Sequence, residues 1–252
     1  MASEWYESFF TSLALDFWRA AVPAETTSVE VDFLSRELRV SPGAQLLDLP
    51  CGLGRHAIAL ASRGYRITGV DLSADAVASA RKEALERGLT VSFHVGDMRH
   101  EPSGGPFDGA YCFGNSFGYL SHDDMSRFVR SMLHAVRPGG RWAIDTGAVA
   151  ESLLPNLVEA RTLEAGGVTY SVRSRYDAAA RRLVQSCTLV RGGEQQLAEL
   201  SHAVYTVAEL HRLLESAGWQ LRGAYGSPDG RPFEPGNRLL LVIERPLAVK
   251  AQ

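Results

Sequence analysis

The chain predicts an α/β fold: a doubly wound, mostly parallel seven-stranded sheet whose last strand runs antiparallel. Three observations carry this. From Gln45 to Thr146, short apolar runs alternate with helical patterns, as crossover units on a sheet covered on both faces require. The first run ends in an acid and passes through a glycine turn into a helix, Leu46-Leu-Asp-Leu-Pro-Cys-Gly-Leu-Gly-Arg-His-Ala57. Beyond Tyr205, one helix is followed by two strand patterns that can pair antiparallel at the end of the sheet.

The elements follow in order. Residues 3–21 form an aromatic-rich helical segment closed by Pro23, and a second helix runs from about Thr26 to Leu38. Together they make an N-terminal helical lid over residues 1–39. Ser41-Pro-Gly turns into the first strand, Gln45–Leu49, and the helix holding Ala57–Arg63 ends near Gly64. Arg66–Asp71 is a strand, and Ser73 caps a helix over Asp75–Arg87 that Gly88 stops. Thr90–Val95 and Phe107–Phe113 are strands; Asp123–Val136 is a helix ended by Pro138-Gly-Gly, and Arg141–Thr146 is the fifth strand. The pattern then changes. Short alternating runs at Val168–Tyr176, Leu183–Val190 and Leu197–Tyr205, with a weaker one near Arg161–Glu164, are split by glycine pairs and a turn at Asp177–Arg181. They read as an inserted antiparallel platform over residues 149–205, either a substrate cap or a dimer surface. The helix Val207–Ala217 and the strands Trp219–Tyr225 and Asn237–Glu244 return to the main domain, which takes in 40–148 and 206–252.

Composition narrows the function. The 252 residues are 45% hydrophobic and 22% charged, ordinary for one soluble domain carrying an insertion. A net charge of -3 argues against nucleic acid as partner. No apolar run reaches membrane-spanning length. Cys51, Cys112 and Cys187 are widely spaced and odd in number, which fits neither a disulfide framework nor a metal site. The N-terminus is acidic and aromatic rather than basic and then apolar, so a cytoplasmic location is expected.

The glycine turn lets the backbone lie against a ligand, and the helix it opens presents free N–H donors. Gly52-Leu-Gly54-Arg-His-Ala57 also satisfies the dinucleotide fingerprint, with Asp71 lying 17 residues past Gly54. A nicotinamide-dependent oxidoreductase is therefore one reading. Asp48 weighs against it, because a carboxylate beside a pyrophosphate repels it, whereas a ligand with an ammonium group attracts it. Asp97 with Met98 suits an adenine, one bonding the exocyclic amine and the other packing on the ring.

These motifs resemble those of the class I S-adenosylmethionine-dependent methyltransferases, Rossmann-like enzymes. The match comprises Leu47-Asp48-Leu-Pro-Cys-Gly52-Leu-Gly54-Arg55, Gly69-Val-Asp71-Leu-Ser73, Gly96-Asp97-Met98, Phe107-Asp-Gly-Ala-Tyr111 and Arg137-Pro-Gly-Gly140. It covers roughly 40–148 and 206–245, and Arg55 stands where the commonest loop has a third glycine. The resemblance implies S-adenosyl-L-methionine as cofactor. Asp48 with the Gly52–Gly54 loop would hold its methionine part, Asp71 the ribose hydroxyls, Leu72 an adenine face, and Asp97 and Met98 the adenine edge. Pro50 and Phe113 would complete that site. A bacterial small-molecule subgroup with an aromatic N-terminal helix and a strand insertion after strand five is the nearest likeness.

The acceptor side offers Asn115, Tyr6 and Tyr119 as catalytic candidates and Phe10, Phe117, Arg173, Tyr176 and His202 as substrate contacts. Against each stands a structural role: Asn115 tying down its loop, the aromatics packing in the core, and the platform residues facing solvent. An aromatic face near a sulfonium cation stabilises it by about 0.5–2 kcal/mol. His56 reads as a helix or supporting histidine rather than a base. No metal is expected. The expected reaction is methylation of a small molecule, at nitrogen in preference to oxygen because no convincing base for a hydroxyl stands out. RNA or protein methylation, a nicotinamide enzyme and a non-catalytic cofactor-binding partner are the alternatives. A homodimer is possible through the platform.

Overall fold

The computed structural model describes residues 4–247. Its main sheet has seven strands in the order β10-β11-β5-β4-β1-β2-β3. These are β1 (Gln45–Asp48), β2 (Arg66–Asp71), β3 (Ser92–Val95), β4 (Phe107–Cys112), β5 (Val136–Thr146), β10 (Gln220–Tyr225) and β11 (Leu239–Glu244). Strands β1 to β5 run parallel, and β11 enters antiparallel between β5 and β10. The predicted architecture is therefore the observed one. The Pro138-Gly-Gly turn is absorbed into β5, whose register against β4 shifts there.

Both faces are covered because both carry apolar side chains. Helices α6 (His122–Ala135) and α8 (Val207–Ser216) cover one face around Trp142, Phe128 and Leu214. Helices α3 (Ala24–Glu37), α4 (Arg55–Ala61) and α5 (Ala74–Glu86) cover the other around Phe33, Leu46 and Phe93. Three of the helices are capped by their own sequence. Ser73 accepts the N–H of Ala76, Ser121 that of Asp124, and Thr206 forms a reciprocal cap with Glu209.

A second sheet of four antiparallel strands, in the order β6-β7-β8-β9, fills the insertion. It comprises β6 (Ala160–Ala165), β7 (Val168–Asp177), β8 (Arg182–Arg191) and β9 (Glu194–Ala203), after the short helix α7 (Ala150–Leu153). The aromatic N-terminal segment is not one helix. It breaks at Phe10 into α1 (Trp5–Phe9) and α2 (Ser12–Ala21), because Gln196 on β9 donates to the Phe9 carbonyl and accepts from the Thr11 hydroxyl. Both helices pack on the inner face of the small sheet, where Phe9, Leu13 and Phe17 meet Tyr170, Val172 and Leu189. The two sheets and α1 enclose one large space at the carboxyl edge of β1, β2 and β4.

Candidate active site

That space is a cavity of about 910 Å³, near the upper end of the roughly 300–1,000 Å³ usual for small-molecule sites. Its floor is the carboxyl edge of the parallel strands. Gly52 holds φ at +52°, and a Cβ there would meet no atom within 4 Å, so the loop leaves open space above it. The Gly52 N–H donates to Asp71 Oδ2 (2.7 Å), and the Ser73 N–H donates to Oδ1 (2.9 Å). Burial pushes the Asp71 carboxyl up, and those N–H groups oppose the shift. Each of its oxygens keeps a lone pair for a ligand. Asp97 is held differently. Burial pushes it up, but hydrogen bonds from the Arg99 side chain (2.7 Å) and N–H (2.8 Å) outweigh that and keep its carboxyl low. Leu72, Met98, Pro50 and Phe113 line the same floor.

The opposite wall is aromatic. Tyr6 and Tyr119 stack at 6.2 Å between centroids, and the Trp5 ring meets Tyr119 edge-on at 4.6 Å. Arg99, which also pairs with Glu7 (2.9 Å), lies over the Tyr6 ring. Burial raises the Tyr6 phenol to about 12, and its hydroxyl has no hydrogen-bond partner. His202 is bracketed by Trp5 and Tyr119, both at 5.2 Å between centroids. Phe10 completes this wall; farther out Tyr170, Ser174 and Gln185 project from the inner face of the small sheet.

Several expected site residues lie elsewhere. Asp48 is 1% exposed and off the cavity wall, beneath the loop and beside Tyr111. Burial raises its carboxyl well above the usual range, and its Oδ2 is sealed without a hydrogen-bond partner. Gly54 is also off the wall. A Cβ there would stand 2.8 Å from Phe93 and 2.9 Å from Ala80, so this glycine lets α4 close on the sheet. Phe117 is core, 2% exposed and packed on Phe128 and Trp142. Arg173 points from the outer face of the small sheet toward Glu159, since Val168, Tyr170 and Val172 take the inner face. Tyr176 shares the parity of Tyr170 but is not among the lining residues, although Leu183 opposite it is. Asn115 lines the cavity, yet its Oδ1 accepts the Gly147 N–H (2.7 Å), so it ties the loops after β4 and β5 together.

The sequence reading overlooked Arg238. Because β11 runs antiparallel, its start falls at the carboxyl edge of the sheet, with Leu239 opposite Thr146. Arg238 bonds Asp145 (2.9 Å) and Glu30 (2.7 Å) and leaves Nη2 buried without a partner. Glu30 also binds Arg55 and His56, which joins α3 to the start of α4. Burial opposes the charge on Glu30, but His56, Arg55 and Arg238 outweigh it and hold the carboxyl low. Burial also lowers His56, so it serves that cluster as a neutral partner.

Comparison with known proteins agrees with this fold. A family profile described as a methyltransferase domain matches residues 46–140. A dTDP-3-amino-3,6-dideoxy-alpha-D-glucopyranose N,N-dimethyltransferase from Streptomyces fradiae is 32% identical over 207 residues, 79% of each chain. The chain belongs to the class I S-adenosylmethionine-dependent methyltransferases. A second relative, a dTDP-4-amino-2,3,4,6-tetradeoxy-D-glucose N,N-dimethyltransferase from Saccharopolyspora spinosa, is 30% identical over 79% of this chain and 81% of its own. Among solved structures, an S-adenosylmethionine-dependent methyltransferase from Clostridium acetobutylicum aligns with TM-score 0.79 at 17% identity, covering 92% and 95% of the two chains. A sugar N-methyltransferase from a Streptoalloteichus species aligns with TM-score 0.68 at 25% identity, over 87% and 88%.

The methyltransferase uses S-adenosylmethionine, and the floor fits it. The space above Gly52, the free lone pairs of Asp71 and the apolar surfaces of Leu72 and Met98 are the complement of a nucleoside. Among the described residues, no group of side chains could hold a metal ion.

Proposed function

We propose that this methyltransferase methylates the aliphatic amine of a small polar molecule, an amino sugar carried on a nucleotide. The observation that carries this is the ionisation of the acceptor wall. Its titratable side chains include Tyr6, raised by burial to about 12; Tyr119 and Tyr170, raised further; and His202, lowered by burial to about 4. None is poised near neutrality to take a proton from a hydroxyl, as general-base catalysis requires. An amine that arrives deprotonated needs no base. The names of the Streptomyces fradiae and Saccharopolyspora spinosa relatives point to the same chemistry on amino sugars. The polar outer half of the cavity, with Ser174, Gln185 and Asn156, suits sugar hydroxyls, and Arg238 suits a phosphate.

On this reading Asp71 accepts the ribose hydroxyls, and Gly52, Pro50 and Phe113 border the amino-acid end of the cofactor. Leu72, Met98 and Asp97 receive the adenine. When bound, the cofactor supplies an already activated methyl group, so the chain's own task is alignment. Holding the nucleophile about 3–3.5 Å from that carbon in line contributes roughly 7–11 kcal/mol to lowering the barrier. Tyr6, Tyr119 and Trp5 present aromatic faces that favour positive charge and exclude water. The inserted sheet and the N-terminal helices cap the acceptor.

The test has two steps. Calorimetry measures binding of S-adenosylhomocysteine and of NADH; only the first binds. Radiolabelled S-adenosylmethionine is then offered with a panel of dTDP-linked 3-amino and 4-amino deoxyhexoses, their hydroxyl counterparts and a peptide with a free N-terminus. Transfer to an amino sugar and not to its hydroxyl counterpart supports the reading. Transfer to the hydroxyl sugars alone, or to none of the amines, overturns it.

A further inference from the structure

His202 stands out among the cavity's side chains because nothing in the protein uses it. It is 7% exposed, and its Nδ1 is sealed from solvent without a hydrogen-bond partner. Its ring neighbours, Trp5 and Tyr119, turn aromatic surfaces to it. The ring makes no hydrogen bond among the described residues although it lines the cavity, so its second nitrogen, Nε2, is open to a partner that arrives from outside, while Nδ1 keeps the ring proton.

The backbone around it is fixed on both sides. The Ser201 carbonyl accepts from Trp5 Nε1 (3.0 Å) and from the Arg182 guanidinium (2.8 Å), while the Ala203 N–H donates to the Gly118 carbonyl (2.7 Å). One bond thus ties His202 to α1, and another ties it to the loop that carries Tyr119. Such bracketing aims a side chain. Burial and the nearby Arg182 keep the ring neutral, with its pKa lowered to about 4. With Nδ1 sealed, Nε2 is the nitrogen left for a ligand.

We propose that His202 is the residue that orients the acceptor, its Nε2 accepting a hydrogen bond from the acceptor's amine N–H so that the nitrogen lone pair turns toward the cofactor's methyl group. This rests on the amine-methylation reading above. A primary amine has two N–H groups to offer, and the monomethylated amine still has one. A dimethylated amine has none. Each transfer forms an N–C bond, breaks the cofactor's S–C bond and leaves an ammonium that gives one proton to water. The neutral monomethyl amine can then bond His202 again and the neutral dimethyl amine cannot, so the grip depends on how many methyl groups are already on the nitrogen.

The experiment takes the amino sugar from the panel above that the wild-type enzyme methylates fastest, and compares wild type with His202→Phe and His202→Gln. In wild type saturated with S-adenosylhomocysteine, calorimetry at a pH where both amines are neutral is expected to show the primary amine binding at least tenfold more tightly than its N,N-dimethyl form. In His202→Phe that difference disappears and kcat falls at least 30-fold, while the Kd for S-adenosylhomocysteine stays within twofold. His202→Gln, whose amide oxygen reaches near the Nε2 position, recovers to within about fivefold of wild-type kcat. Equal wild-type affinity for the primary and dimethyl forms overturns the proposal, whether or not the variants fold. So does an equal loss in the Phe and Gln variants, or a kcat in His202→Phe within threefold of wild type. If no amine in the panel is methylated, the amine reading fails and this inference fails with it; if amines are methylated but His202 is indifferent, only the inference fails.

Discussion

The floor and the far wall of the cavity face each other, but they are built on opposite terms. On the floor, Asp71 and Asp97 are already engaged: Asp71 with the N–H groups of Gly52 and Ser73, and Asp97 with Arg99. On the acceptor side, the Tyr6 hydroxyl and His202 Nδ1 are buried with no partner. The difference separates two kinds of recognition. A preorganised floor binds one invariant ligand with little reorganisation. A wall whose Tyr6 hydroxyl and His202 ring make no hydrogen bond leaves polar groups for an acceptor to engage.

The contrast yields predictions, starting with the largest effect. Gly54→Val should destabilise the whole cofactor half, because φ is +76° and the new Cβ would press on Phe93 and Ala80. Strain and overpacking together cost about 3 kcal/mol or more, so calorimetry should show Tm lower by roughly 6–12 °C. An unchanged Tm would mean that the floor is not rigidly packed.

The second concerns pH. His202 is lowered in the folded state, to about 4 from an ordinary 6.5. The unfolded chain therefore binds the extra proton between those values, and stability is full above pH 6.5 and lost as pH falls toward 4. His56 is lowered as well and adds to the same trend. The loss from His202 is on the order of 3 kcal/mol, and denaturant titrations across pH 4–7 should show His202→Gln flattening the slope. A slope identical to that of wild type would show that the imidazole is solvated.

Asp71→Ala comes third. It removes charge-assisted hydrogen bonds each worth about 1.5–3 kcal/mol, so the Kd for S-adenosylhomocysteine should rise tenfold or more by calorimetry. Unchanged affinity would take Asp71 out of the cofactor site. Smallest in stability, and sharpest as a test of the contrast, is Tyr6→Phe. Removing a buried hydroxyl that lacks a partner should leave stability equal or raise it by about 1 kcal/mol, while turnover falls. A clear loss of stability would show that the wall is satisfied after all.

Most of the main domain could be read from the chain because its strands are bounded by glycines and its helices by caps such as Ser73 and Thr206. The break between α1 and α2 was not legible. The aromatic run continues through Phe9 and Phe10 without a proline or glycine, and what interrupts it is Gln196, nearly two hundred residues away in sequence. On the small sheet, the alternation Val168, Tyr170, Val172 marks the inner face and so places Arg173 outside. Alternation alone does not say which inner-face residues reach the cavity: Ser174 and Leu183 line it and Tyr176, opposite Leu183, does not. Asp48 shows a subtler limit. A strand-end acid beside a glycine loop looks like a ligand contact, and only the packing against Tyr111 shows that it lies underneath. Arg238 was legible in principle, since an antiparallel strand must begin where its parallel neighbours end.

Arg99 has one further consequence. A single guanidinium joins Asp97 on the floor to Glu7 on the covering helix and rests against the Tyr6 ring. An adenine that bonds Asp97 must share that carboxylate with the cation that fastens the cover. Departure of the spent nucleoside would return the whole carboxylate to Arg99 and refasten the cover, so cofactor exchange and the seating of α1 draw on one shared charge.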